Sequence, residues 1–235
     1  MFTFKGVTSL EMGLLVGNNF SYPSTSRDIE FIDIDGRDGS LAIDRGRYND
    51  VIRALPVMLK TTEDALEEKI TQITNWLLTD VNYHDFLWDE DLDFVYRAMC
   101  HQRYDIARLL KNFGRGIIYF RMHPIKYLNS ALTEMPVINN QVVNNPFGVD
   151  AMPRLRVVGS GNIDINIGNQ RLRLRSIAGG CIVDTLSQTI TNLGGQATLF
   201  HSMYDPFPVL RPGNNNFTIS SGAQVHVISR LGALV

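Results

Sequence analysis

The carboxylates of Asp33, Asp35 and Asp44 stand at positions 1, 3 and 12 of one segment, the spacing of calcium ligands in an EF-hand loop. The rest of that ligand set is missing. Position 5 is Arg37, a cation, and position 6 is Asp38, where the sharp bend needs glycine. A solvated turn is the better reading. A second acidic run, Asp89-Glu90-Asp91-Leu92-Asp93, lies between two strand candidates and reads as a solvated hairpin tip. Paired carboxylates serve acid–base chemistry only when they converge in a cleft, and nothing in the sequence brings these together. The histidines are His84, His101, His123, His201 and His226. None makes an i, i+4 pair on a helix. Cys100-His101 are adjacent, and neighbours on a strand point to opposite faces, so they do not readily share an ion. The cysteines, Cys100 and Cys181, lie far apart. They form neither a disulfide framework nor a metal knuckle, which fits folding under reducing conditions. Gly159-Ser160-Gly161 is too short for a phosphate loop, and the sixth position of a dinucleotide fingerprint would be Asp164. No Walker motif or nucleophile elbow occurs. The sequence predicts no catalytic residue, no cofactor and no metal, and hence no enzyme.

Arg171, Arg173 and Arg175 line one face of a strand candidate, with Leu172 and Leu174 on the other. With Arg154 and Arg156 they offer a basic strip to nucleic acid, but no aromatic residues interleave them. A solvated or subunit-contacting sheet face is the expectation. The overall balance agrees: 22 Lys+Arg against 24 Asp+Glu, net -2, carries no polybasic signature. The charge is unevenly placed. Residues 1–130 hold 15 bases and 19 acids, whereas residues 131–235 hold 7 arginines, 5 acids and no lysine.

The elements that must position these groups are mainly strands. Phe2 and Phe4, with Val7, can share a strand face, and Ile29–Ile34, Leu41–Ile43 and Val51–Leu59 follow, with a turn at Asp35–Gly39. One helix stands out over 63–78. Leu66, Ile70, Ile73 and Leu77 fall at i, i+4, i+7 and i+11 and make one apolar stripe. Thr61 or Thr62 is placed to cap it, and Glu63, Asp64, Glu67 and Glu68 suit the positive end of its dipole. Tyr83–Leu87, Phe94–Cys100 and Gly116–Met122 are further strands. Thr133 to Gly148 carries Pro136, Pro146 and several asparagines and reads as a connection.

Beyond it no helical stripe appears. Short strands recur about every 8–12 residues, as in a β-sandwich. They are Arg154–Val158, Asn162–Ile167, Gln170–Arg175, Cys181–Thr185, Asn216–Ser220 and Gln224–Ser229, with Gly168-Asn169 as a two-residue hairpin turn. The expected organisation is a domain over 1–132, a linker over 133–145 and a second domain over 146–235. At 235 residues the chain suits one large domain or two small ones. No apolar run of signal-peptide or membrane-spanning length occurs, so secretory export and a transmembrane helix are not expected.

The order of short motifs resembles the distal tail proteins of long-tailed phages and prophages of Gram-positive bacteria. The opening is Phe2-x-Phe4-x-Gly6. Asp35-Gly36-Arg37-Asp38-Gly39 follows, then Gly46-x-Tyr48, Asn75-Trp76-Leu77 and Tyr96-Arg97-Ala98. Near the end comes Phe207-Pro208-x-Leu210-x-Pro212-Gly213-Asn214-Asn215. The resemblance implies an α+β fold, mainly β with one helix in the first domain, and a galectin-like β-sandwich second. It implies a homo-hexameric ring at the virion tail tip, made by the first domain. The ring would join the tail-tube protein to a tail-associated hub or fibre protein, with DNA only passing through. The alternative is an adhesin that binds host cell-wall polysaccharide. Residues 131–235 have no tryptophan for a sugar to stack on, only Phe147, Phe200, Tyr204, Phe207 and Phe217, which favours a scaffold.

Overall fold

The computed structural model describes residues 1–62, 65–220 and 222–235. It divides into two compact units, Met1–Lys126 with Leu234–Val235, and Tyr127–Ala233. The fold is mostly β with a single α-helix among the described residues, as the sequence led us to expect.

The first unit contains β1 (Phe2–Phe4), β2 (Val7–Thr8), β3 (Leu14–Val16), β4 (Arg27–Ile32), β5 (Leu41–Tyr48) and β6 (Val51–Lys60). The helix α1 (Leu66–Leu78) comes next, then β7 (His84–Trp88), β8 (Phe94–Met99), β9 (Ile106–Leu110) and β10 (Phe113–Met122). Its main sheet is ordered β2-β1-β7-β8-β10-β6-β3, with β9 paired to one end of β10. Phe2 and Phe4 alternate inward, as their spacing predicts, and are buried. Val7 reaches the same face from the return strand, because it is the cross-strand partner of Phe4. Lys5 and Gly6, both at positive φ, make the tight turn between them, the conformation that suits the strands' twist. Glycine is also required at 116. A Cβ there would collide with the Asp105 carbonyl, because the chain entering β9 crosses close over β10.

The apolar stripe does make a helix. Leu66, Ile73 and Leu77 are buried in the core with Phe2, Phe4, Phe86, Ile118 and Phe120, while Ile70 is only half-buried. The expected threonine cap is not formed. Ala65 is the N-cap and no side chain among the described residues bonds to the helix start, while the Thr61 hydroxyl donates to the Thr62 carbonyl. Glu67 and Glu68 occupy the first turn, as the dipole favours. Glu63 and Asp64, expected to share that role, lie outside the described residues.

After β11 (Ile125–Leu128), the second unit holds β12 (Met135–Val137), β13 (Val142–Asn145), β14 (Arg154–Val158), β15 (Gly161–Ile167) and β16 (Gln170–Ile177). It continues with β17 (Gly180–Asp184), β18 (Thr189–Asn192), β19 (Gly213–Ile219), β20 (Gln224–Ile228) and β21 (Gly232–Leu234). Two sheets, β12-β20-β14-β17-β18 and β13-β19-β15-β16, share one core built on Leu155, Val157, Ile165, Leu172, Leu174, Val183, Phe217 and Val227. This is the β-sandwich the strand spacing predicts. Gly168 takes φ +59 at the first turn position between β15 and β16.

The stretch 133–145, expected as a linker, carries the strands β12 and β13. β12 ends its sheet and pairs only with β20. Pro136 is tolerated there because an edge strand has a free side for the missing N–H. Asn145 is buried, and its amide donates to the Val149 and Leu210 carbonyls. Asparagines that look like loop formers are here the internal ties of a sheet.

Candidate functional site

The chemistry-bearing residues do not converge. Asp33 accepts a bond from the Ser40 hydroxyl at 2.6 Å, whereas Asp44 takes the Arg27 guanidinium at 2.8 Å and the Gly46 N–H at 2.9 Å. Among the described residues no three His, Cys, Asp or Glu side chains gather around a point where a metal could sit. Both cysteines are buried. Burial pushes each thiol up to about 11, with Lys5 acting in the opposite sense at Cys100. A nucleophilic cysteine needs the opposite shift. We expect a thiol reagent at mildly alkaline pH to find neither cysteine in the native protein and both after denaturation. Labelling of either at the rate of a free thiol would contradict this burial.

The acidic turn after β7 is exposed at Asp89, Glu90, Leu92 and Asp93, as the sequence suggests, but Asp91 is half-buried and both Glu90 and Asp91 have partners. Glu90 accepts the Tyr22 hydroxyl at 2.7 Å and the Trp88 indole N–H at 3.3 Å. Asp91 accepts the Lys126 ammonium at 2.6 Å and the Tyr96 hydroxyl at 2.5 Å. Burial alone would raise the Asp91 pKa, but the bonds from Lys126 and Tyr96 outweigh it and the carboxyl is held below its ordinary value. Beside this network lies Arg53 of β6, 2% exposed, its guanidinium 5.2, 5.9 and 5.3 Å from the rings of Tyr22, Trp88 and Tyr96. Its Nε and Nη1 have no hydrogen-bond partner among the described residues. Three aromatic faces and the nearby carboxylates stabilise the charge instead. Sequence reasoning missed Arg53, although alternation within β6 was a signal for it, since it places Arg53 on the buried face with Val51, Leu55, Val57 and Leu59.

The residues that carried the resemblance fall in separate places. Phe2, Phe4, Trp76 and Leu77 belong to the first core. Phe2 stacks on Trp76 with centroids 6.0 Å apart, and the Trp76 indole donates to the Phe4 carbonyl at 3.1 Å. Gly6 makes the first turn. Gly36, Arg37, Asp38, Gly39, Gly46 and Tyr48 all lie on β5 or the loop that joins it to β4. Gly36, Gly39 and Gly46 have positive φ, and Arg27 sits over the Tyr48 ring at 5.0 Å. Pro208, Pro212, Gly213 and Asn214 belong to the second unit. The Thr185 hydroxyl donates to the Pro208 carbonyl at 2.7 Å, and the Asn144 amide donates to the Asn214 side chain at 2.8 Å. Asn215 is buried and cross-links this loop through Arg211, Gly213 and Val143.

The β4–β5 hairpin is a two-stranded sheet of its own. Ile29, Phe31, Ile32, Ile34, Leu41 and Ile43 are all exposed on it. None belongs to either apolar core.

In the second unit Leu172 and Leu174 are buried and Arg171, Arg173 and Arg175 face outward, as expected. Acids neutralise the strip. Arg171 and Arg175 share Asp164, and Arg173 makes a two-pronged pair with Asp205. Arg154 and Arg156 lie on the other sheet, and Arg156 is paired with Glu134 at 2.6 Å. The five arginines therefore do not make one basic strip. Of the aromatics, Phe217 is buried, and Phe200 and Tyr204 are exposed.

No protein-family model and no curated protein matches the chain. Among solved structures it is similar to the SPP1 Dit protein (gp 19.1), described as a paradigm of the hub adsorption apparatus in phages that infect Gram-positive bacteria. The TM-score is 0.74 at 15% identity, covering 96% of each chain. The phage p2 baseplate in its activated conformation with Sr aligns with a TM-score of 0.48 at 8% identity, covering 92% of this chain and 90% of that one. The chain thus has the fold of the SPP1 Dit protein across nearly its whole length.

Proposed function

We propose that this chain, with the fold of the SPP1 Dit protein, is a structural component of a phage tail tip: a hub that closes into a homo-hexameric ring. The ring joins the tail-tube protein to the tail-associated hub or fibre protein that faces the host. The observation that carries this is the match over 96% of both chains with a protein described as an adsorption hub. A shared fold does not by itself give a shared function, so the chemistry of the chain must also fit. The carboxylates of Asp44 and Asp91 are tied up in ion pairs, both thiols are buried, and the first unit carries an uncovered apolar hairpin. Those are the needs of a scaffold. Residues 1–130 carry a net charge of -4, so a ring built from them would repel DNA and let it pass. No helix among the described residues is long and apolar enough to cross a membrane.

The adhesin reading keeps one observation in its favour, the exposed rings of Phe200 and Tyr204. The polar groups beside Tyr204 are already spent on the Arg173–Asp205 pair, which weakens it as a site for a neutral sugar. Light scattering separates the readings. The purified chain is expected at six times its 26.5 kDa mass, alone or on adding tail-tube protein. A strict monomer under both conditions would overturn the hub.

A further inference from the structure

We infer that the β4–β5 hairpin of one copy docks on the β9–β10 end of the next, and that this contact builds the ring. The inference rests on the hub reading and names the two surfaces that would meet. Cross-strand register sorts the hairpin into two faces. Ile32, Leu41 and Ile43 share one, and Ile29, Phe31 and Ala42 share the other. Each face carries one acid, Glu30 on the first and Asp44 on the second, but is otherwise apolar, and both are bare; Phe31 is 67% exposed. An isolated two-stranded hairpin is marginal in water, and its two unpaired edges are templates for another chain. Such an element makes sense when a partner covers it.

Charge points to the partner. Within the hairpin, Arg27 pairs with Asp44, Arg45 with Glu30 and Arg47 with Asp28. What remains is the tip, where Asp33, Asp35 and Asp38 stand against Arg37 alone. The complement lies on the same unit. Among the described residues β9 has β10 as its only strand partner, and its Leu109 and Leu110 are 56% and 65% exposed. Around them Arg108, Lys111 and Arg115 are exposed and take part in no ion pair among the described residues. An apolar hairpin with an acidic tip thus matches an apolar strand with a basic surround. The two patches are different parts of the chain, so their contact is head to tail, and repetition closes a ring. A second copy is the occupant that supplies both halves.

The test uses the full-length chain and two variants. Phe31→Asp spoils the hairpin and Leu110→Asp spoils β9, each at an exposed position. A cooperative tryptophan-monitored melt checks that both fold, and Phe31→Ser replaces Phe31→Asp if it does not; some lowering of the midpoint is expected because the monomers lose the stabilisation of the ring. Each variant alone should be monomeric by light scattering while the unaltered chain forms the ring. Mixed in equal amounts they should stop at a dimer, because one intact hairpin meets one intact β9 and neither chain can extend further. If either variant keeps the mass of the unaltered ring, or the mixture stays monomeric, these surfaces are wrong and the hub reading survives. If the unaltered chain never assembles, both fall.

Discussion

Ile73→Asp is expected to unfold the first unit. Ile73 is fully buried on the inner face of α1, in one core with Phe2, Phe4, Leu77, Phe86 and Phe120. A carboxylate there has no cation or donor to meet it. Burying an unpartnered charge costs several kcal/mol even after the group shifts its pKa and takes up a proton. The lost isoleucine packing adds about 2–5 kcal/mol. Together these match the roughly 5–15 kcal/mol that holds a whole domain folded. The stripe read from sequence made Ile70 an equally good choice, but Ile70 is half-buried and its carboxylate can reach water. Ile70→Asp should therefore cost about 1–3 kcal/mol, the ordinary range for a partly exposed site. Denaturant unfolding followed by tryptophan fluorescence checks both, since Trp76 and Trp88 lie in the first unit and residues 131–235 contain none. A cooperative transition for Ile73→Asp at the unaltered midpoint would sink the packing described for α1.

Arg230→Met is expected to destabilise the second unit by about 3 kcal/mol, the lower end for breaking a buried ion pair. The Arg230 guanidinium grips Asp184 with two bonds of 2.6 and 2.9 Å, and each side chain is only 17% exposed. The Leu186 and Ser187 N–H groups also donate to Asp184. Burial pushes the Asp184 pKa up. The Arg230 bonds and charge, with the two N–H donors, more than reverse this and leave it lowered. A carboxyl whose folded pKa lies below its unfolded value contributes stability above the unfolded pKa, about 3.9 for aspartate, and loses it as pH falls through the folded one. The second unit should therefore weaken below about pH 4. Arg230→Met should flatten that dependence while lowering stability near neutrality. Hydrogen exchange at Leu155, Val157 and Val183, on the paired strands β14 and β17, reads the second unit alone. Unchanged protection in Arg230→Met at neutral pH would show that the pair contributes nothing net.

What was legible in the sequence was local. The positions of Leu66, Ile73 and Leu77 demand a helix with one apolar face, because 3.6 residues per turn align them. The strict alternation of Asn162–Ile167 and Gln170–Arg175 around Gly168-Asn169 demands a hairpin, because one face of each strand must be dry and the turn needs positive φ. Likewise, the arginines of β16 could only point away from Leu172 and Leu174.

Tertiary structure decided whatever depends on neighbours distant in the chain. The prolines and asparagines of 133–145 signal a loop, yet this stretch becomes β12 and β13 because β20 and β19, some 70 to 90 residues later, offer edges to pair with. Asp91 looked solvated until Lys126 and Tyr96 were brought to it. Alternation puts Arg53 on the inner face of β6, but only the folded chain brings the rings of Tyr22, Trp88 and Tyr96 to it. The β4–β5 alternation is ordinary, and only the folded chain shows that neither of its faces is covered. A residue's preference for helix, strand or turn is set by a few bonds around it and is written in the local sequence. Its burial and its partners are set by which distant segments pair and pack, and those contacts exist only in the folded chain.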